Sequence, residues 1–127
     1  VSLLAVASGG ALGAVARYLA SGWVQDWTGS FFPWGTFAVN VAGCVLLGFS
    51  MTWMQTSFSS TEARELITVG LLASFTTFST FSYEAIAMVR DGELLRAGGY
   101  VLGSVMLGLA GVVAGSALAG SLLRARG

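Results

Sequence analysis

The charged residues of this chain cluster between long empty intervals, and that spacing decides most of what it can fold into. No Asp, Glu, Lys or Arg lies between Asp26 and Glu62, between Glu65 and Glu84, or between Arg96 and Arg124. A helix needs about 20 mostly apolar residues to cross the hydrocarbon core of a bilayer. Each interval therefore holds one crossing, and the run from Val1 to about Val24, interrupted only by Arg17, holds a fourth. The rest of the composition agrees: 55% of the 127 residues are hydrophobic, 9% are charged, and mean hydropathy is +0.79. A soluble domain carries about a quarter charged residues. The expectation is an all-α membrane protein with one four-helix transmembrane domain over residues 1–127. Its helices are placed at about 2–24, 35–55, 63–90 and 97–123.

The links between spans carry recognisable stops and starts. Pro33 in "WTGSFFPWG" sits just before the second helix, where its missing N–H costs nothing. In "QTSFSSTEARE", Ser60 or Thr61 can cap the third helix, and Glu62 and Glu65 suit a helix N-terminus. Gly92 is the turn residue of "RDGELLR". The "AVAS" near the start resembles a cleavage site, but no basic region precedes it and the apolar run before it is too short, so it reads as part of the first span. Formal net charge is zero with no basic run, which argues against nucleic acid as a partner. His is absent and Cys44 is alone in mid-helix, which rules out a disulfide framework and a zinc site and leaves Cys44 as a small buried hydrophobe.

The chain has little sense of direction. The N-terminus, second link and C-terminus share one side of the membrane and carry Arg64, Arg124 and Arg126; the other side carries Arg90 and Arg96. That is almost no positive-inside bias. Four helices also enclose little interior. Insertion in both orientations, with two copies pairing as an antiparallel homodimer, follows as an expectation.

Polar residues inside spans are costly and face protein or water. Arg17, in "GAVARY" toward the end of the first helix, either snorkels or pairs with a helix C-terminus, or else attracts an anion at a vestibule. Asn40 lies about two turns into the second helix with Thr36 one turn before it; an amide there bonds helix to helix or lines a solute path. Tyr100, Ser104 and Gly108 mark one face of the fourth helix as a hydroxyl ladder with a gap. The segment "LLASFTTFSTFSYE" is the most unusual. Phe75, Phe78 and Phe81 recur every three residues and drift around an ideal helix, while Thr76, Thr77, Ser79, Thr80 and Ser82 compete with the backbone for hydrogen bonds. A break near Ser74 to Ser79 is expected, in backbone that survives at membrane depth only beside protein or a water-filled cavity. Freed carbonyls there suit a cation, and hydroxyls with electropositive ring edges suit an anion.

Taken together, "GGALGAVARY", "PWGTFAVNVAG", "TTFSTFS" and the Tyr100/Ser104 face resemble the Fluc (CrcB) fluoride channels over essentially the whole chain. The resemblance implies a dual-topology antiparallel homodimer with two pores in the cytoplasmic (inner) membrane, exporting fluoride passively and so lowering its toxicity. It implies that Phe78 and Phe81 face fluoride with their ring edges, and that Asn40, Thr36, Thr80, Ser104 and Tyr100 line the track. Arg17 matches the vestibule arginine. A structural Na+ at the dimer centre is implied through the backbone carbonyls of Ala73 and Thr76 of each subunit. Two departures stand out: Ala73-Ser74 replaces the usual Gly-Gly, and Gly108 replaces a frequent serine. The competing class is a small dual-topology multidrug antiporter, which depends on a carboxylate in the first helix; residues 2–24 have none. Glu84, the one acid near a span, is expected to face water or pair with an Arg. An enzyme is excluded, since no nucleophile–base pair, metal cluster or phosphate loop appears.

Overall fold

A computed structural model describes residues 2–57 and 60–126; Phe58 and Ser59 of the second link, and the side chains of Glu62 and Glu65 to which a helix-start role was given, lie outside the described residues. Helix α1 runs Leu3–Thr28, α2 Trp34–Ser57, α3 Thr61–Arg64, then a π-helix Glu65–Leu72, α4 Ala73–Phe75, α5 Phe78–Arg90 and α6 Leu94–Arg126. Four helical stretches are long and apolar enough to cross a membrane: Leu3–Thr28, Trp34–Gln55, Leu66–Arg90 and Leu94–Arg126. The chain is an all-helical, multi-pass membrane protein.

Local chemistry explains the ends. The Ser2 hydroxyl accepts from the Ala5 N–H at 3.2 Å, and the Ser60 hydroxyl from the Ala63 N–H at 3.2 Å. The first helix ends four residues later than expected, at Gly29 (φ 58°), which takes the left-handed cap with its N–H on the Gln25 carbonyl. Polar residues such as Gln25 and Asp26 do not stop a helix. Gln25 instead stitches the link to α2: its amide nitrogen donates to the carbonyls of Ser30 (2.6 Å) and Phe32 (3.0 Å), and its oxygen accepts from the Gly35 N–H (3.0 Å). Gly92 (φ 79°) makes the last turn.

Two close packings hold the spans. Along α1, Gly9 and Gly13 press against the π-helix so tightly that a Cβ on either would overlap the carbonyl of Leu66 or Leu71. In lipid, where no hydrophobic effect draws helices together, such approach supplies the van der Waals contact. The π-helix was not foreseen. Its wide turns place the Ala73 N–H on the carbonyl of Thr68, five residues back, as well as on Gly70. The Thr68 hydroxyl occupies the Arg64 carbonyl at 2.6 Å, competing for the acceptor that an α-turn would use.

The second packing joins α2 and α6, the most extensive helix contact of the fold. They run parallel in a register offset of 64 residues: Thr36 meets Tyr100, Cys44 meets Gly108, Gly48 meets Val112, and the hydroxyls of Thr52 and Ser116 hydrogen-bond. Gly48 lies on the Val112 carbonyl and Gly115 on that of Val45, each leaving no room for a Cβ. The seam is thus shut by backbone contact beyond Cys44. Toward Thr36 it carries side chains, with Tyr100 fully buried among Phe32, Phe37, Phe81, Ala85, Met88 and Ala97.

Candidate functional site

Between α4 and α5 the chain leaves helical dihedrals for two residues. Thr76 is at φ −90°, ψ 163° and Thr77 at φ −149°, ψ 116°. Two extended residues leave carbonyls at one helix end and N–H groups at the next start without intrahelical partners. Side chains answer for them. Arg17 Nε donates to the Ser74 carbonyl at 3.3 Å, and the Thr76 hydroxyl to that of Ala73 at 3.3 Å. The Thr77 hydroxyl caps α5 by accepting from the Thr80 N–H at 3.4 Å.

Asn40 does the most. Its Nδ2 donates to the Thr77 carbonyl at 3.1 Å while its Oδ1 accepts the Thr77 N–H at 2.7 Å. A primary amide presents donor and acceptor side by side, so it pairs with one extended residue as a neighbouring strand would. One Nδ2 proton remains over. Gly43, one turn on, makes room for this arrangement, since a Cβ there would collide with the Thr76 methyl.

Beside this joint lies a cavity of about 260 Å³, lined by Asn40, Cys44, Thr76, Thr77, Phe78, Phe81 and Ser104 among others. Its walls are mostly apolar, with few polar groups. Among the described residues, Ser104 Oγ is buried there without a hydrogen-bond partner. Phe78 and Phe81 stand with ring centroids 5.9 Å apart; Phe81 leans on Tyr100 at 5.0 Å, while Phe78 is 79% exposed. One helical turn before Ser104, the Tyr100 hydroxyl donates to Glu84 at 3.0 Å and has Thr36, itself only 7% exposed, as a second neighbour.

A family description, "CrcB-like protein, Camphor Resistance (CrcB)", matches residues 4–116. The chain belongs to the CrcB family. Individual relatives agree along nearly its full length. It is 50% identical to the "Fluoride-specific ion channel FluC" of Geobacter sulfurreducens over 115 residues, which is 90% of this chain and 93% of that protein. It is 49% identical to the protein of the same name from Hahella chejuensis over 117 residues, covering 91% and 92%. With the Rhizobium etli protein, also so named, identity is 43% over 124 residues, covering 97% and 99%.

Within this CrcB chain the structure brings Asn40, Ser104, Phe78 and Phe81 to one cavity, whereas Thr36 and Tyr100, one helical turn before Asn40 and Ser104, are buried outside its lining. Thr80 is exposed and, like Ala73, lies outside that lining. Arg17 sits in the middle of its span rather than toward its end, because α1 continues to Thr28. Glu84 bonds Tyr100 rather than an Arg. Cys44 is only half-buried and lines the cavity, so it is not the core hydrophobe expected. A sequence signal for it existed: Cys44 continues the Thr36–Asn40 stripe at the next helical turn.

Proposed function

We propose that this chain is a subunit of a fluoride channel in the cytoplasmic membrane, passing fluoride passively out of the cell. The observation that carries it is the similarity along nearly the whole chain to relatives named "Fluoride-specific ion channel FluC", in a chain where Ser104, with its buried and unpartnered hydroxyl, lines one cavity together with Phe78 and Phe81. Fluoride is a small, strongly hydrated acceptor, so losing its water demands donors in return. Ser104 Oγ, the spare Asn40 proton and the edges of Phe78 and Phe81 supply them without a fixed charge in the cavity to trap the ion. Thr36, Tyr100 and Thr80 extend this polar track, and Arg17 draws the anion toward its vestibule.

The unit is a homodimer of antiparallel copies with two pores, and the interruption at Thr76–Thr77 is a functional break of the third span. The near-even arginine count on the two faces and the exposure of Phe78 support pairing. A structural Na+ is held at the dimer centre by the Ala73 and Thr76 carbonyls of both copies. The residues fit such an ion: Ala73 is exposed and has ordinary helical dihedrals (φ −65°, ψ −33°), so alanine in place of glycine carries no strain, and its carbonyl, which accepts the Thr76 hydroxyl at 3.3 Å, keeps a second lone pair. Thr76 is extended, and carbonyls at such a helix end suit a small cation. The antiporter alternative gains nothing. The longer α1 does include Asp26, but in its exposed last turn rather than at membrane depth.

Liposomes containing the purified protein test the reading. Fluoride efflux without chloride efflux and without a proton gradient is the expected result. Equal chloride flux, or dependence on a proton gradient, would overturn it.

A further inference from the structure

We infer that Cys44 is a lining residue of the ion path, its thiol standing where the hydroxyl ladder of α6 has its gap at Gly108. The inference rests on the channel reading above and concerns a residue to which that reading gives no part. The α2–α6 register is the ground for it. At a constant offset, Thr36 faces Tyr100 and the cavity is walled at the next rung by Asn40 and Ser104. At the rung after, a Cβ on Gly108 would stand 3.4 Å from Cys44 Sγ, in ordinary contact. The sulfur therefore stands against the bare position at 108, within van der Waals reach of any side chain placed there.

Three further observations place the thiol in the path rather than in packing. Cys44 lines the same cavity as Asn40, Phe78, Phe81 and Ser104. Ser104, one turn from Gly108, keeps a buried hydroxyl with no protein partner, so the cavity is built to offer donors to something that is not protein. Just beyond, Gly48 and Gly115 close the seam by backbone contact. Cys44 is thus the last polar residue of the α2 stripe on the cavity side of that closed seam. An S–H is a weak donor, yet it is neutral and polarisable, and it prolongs the track without a trapping charge.

Silver ion is a small, soft probe for such a thiol. Its reaction replaces S–H by S–Ag, with the proton passing to buffer and no change of oxidation state. Wild-type protein in liposomes, assayed in nitrate and fluoride salts, should lose fluoride efflux on silver addition and gain one silver per chain in its intact mass. Cys44→Ala should resist silver and pass fluoride about tenfold more slowly, the scale of one lost hydrogen bond. Adding Gly108→Ser to Cys44→Ala should restore efflux to within about twofold, since the hydroxyl returns from the facing wall. Silver block that persists in Cys44→Ala, or a Cys44→Ala protein as fast as wild type, overturns the inference and leaves the channel reading standing. A wild type that passes no fluoride at all removes the channel reading and this inference with it.

Discussion

Asn40 and Thr77 exchange two hydrogen bonds, at 3.1 and 2.7 Å, across the joint where the third span leaves helical geometry. This pairing fuses two sequence features that look separate, a polar residue in one helix and a hydroxyl-rich stretch in another. The amide satisfies the extended backbone and lines the cavity at once. Its structural role and the transport role proposed for it therefore cannot be removed independently, and this shapes how substitutions there should be read.

Asn40→Ala strands the Thr77 N–H and carbonyl, at about 1–3 kcal/mol for each group left without a partner. The variant should melt at clearly lower temperature in detergent and lose fluoride efflux. Asn40→Asp keeps the acceptor for the Thr77 N–H but turns the donor nitrogen into a second oxygen facing the Thr77 carbonyl, so it should also lose efflux. An Asn40→Ala protein with unchanged melting would show that the two bonds do not support the joint.

Ser104→Ala makes the opposite case. The hydroxyl it removes has no partner in the protein and is buried. Leaving such a group unmade costs stability, so its deletion should leave melting unchanged or raise it by up to about 1 kcal/mol equivalent. Fluoride efflux should fall nonetheless. A variant that melts like wild type and passes fluoride at the wild-type rate would take Ser104 off the ion's route.

Much of the fold was legible in the sequence because charge is scarce and lipid permits few solutions. The empty intervals located all four spans, Gly92 marked its turn, and Ser60 its cap. What stayed illegible depends on three-dimensional register. The π-helix Glu65–Leu72 has no apolar period of its own, and the carbonyl taken by Thr68 is a local choice that spacing does not announce. Nothing in the spacing around Gln25 announces the three bonds by which it sets the first link. Cys44 read as core because one cysteine in an apolar run carries no signal alone. Only the offset between α2 and α6 shows it opposite a bare glycine.

Tyr100 and Glu84 offer a graded test of the upper track. Glu84→Gln keeps an oxygen to accept the Tyr100 hydroxyl and should change melting little. Glu84→Ala removes it and leaves a fully buried phenol with Thr36 as its neighbour. A loss of about 1–2 kcal/mol is expected for the alanine variant alone. Equal loss in both would mean that the carboxylate's charge, not the hydrogen bond, matters.

Ala73 tests the proposed dimer and the proposed sodium together. Its side chain is exposed and lies outside the lining of the cavity beside the joint, and its helical dihedrals suit a tryptophan as well as an alanine. Ala73→Trp should therefore leave helix content by circular dichroism intact in a single copy. If the Ala73 and Thr76 carbonyls of two copies meet on one ion, a large side chain there keeps them apart. Chemical cross-linking in liposomes should then fall from mostly dimer to mostly monomer, and fluoride efflux should disappear. Exchanging Na+ for N-methylglucamine during purification should also lower wild-type efflux, since carbonyls at a helix end gain their attraction from a small cation. Full efflux in Ala73→Trp would place the pairing surface elsewhere, and full efflux after sodium exchange would remove the ion from the assembly.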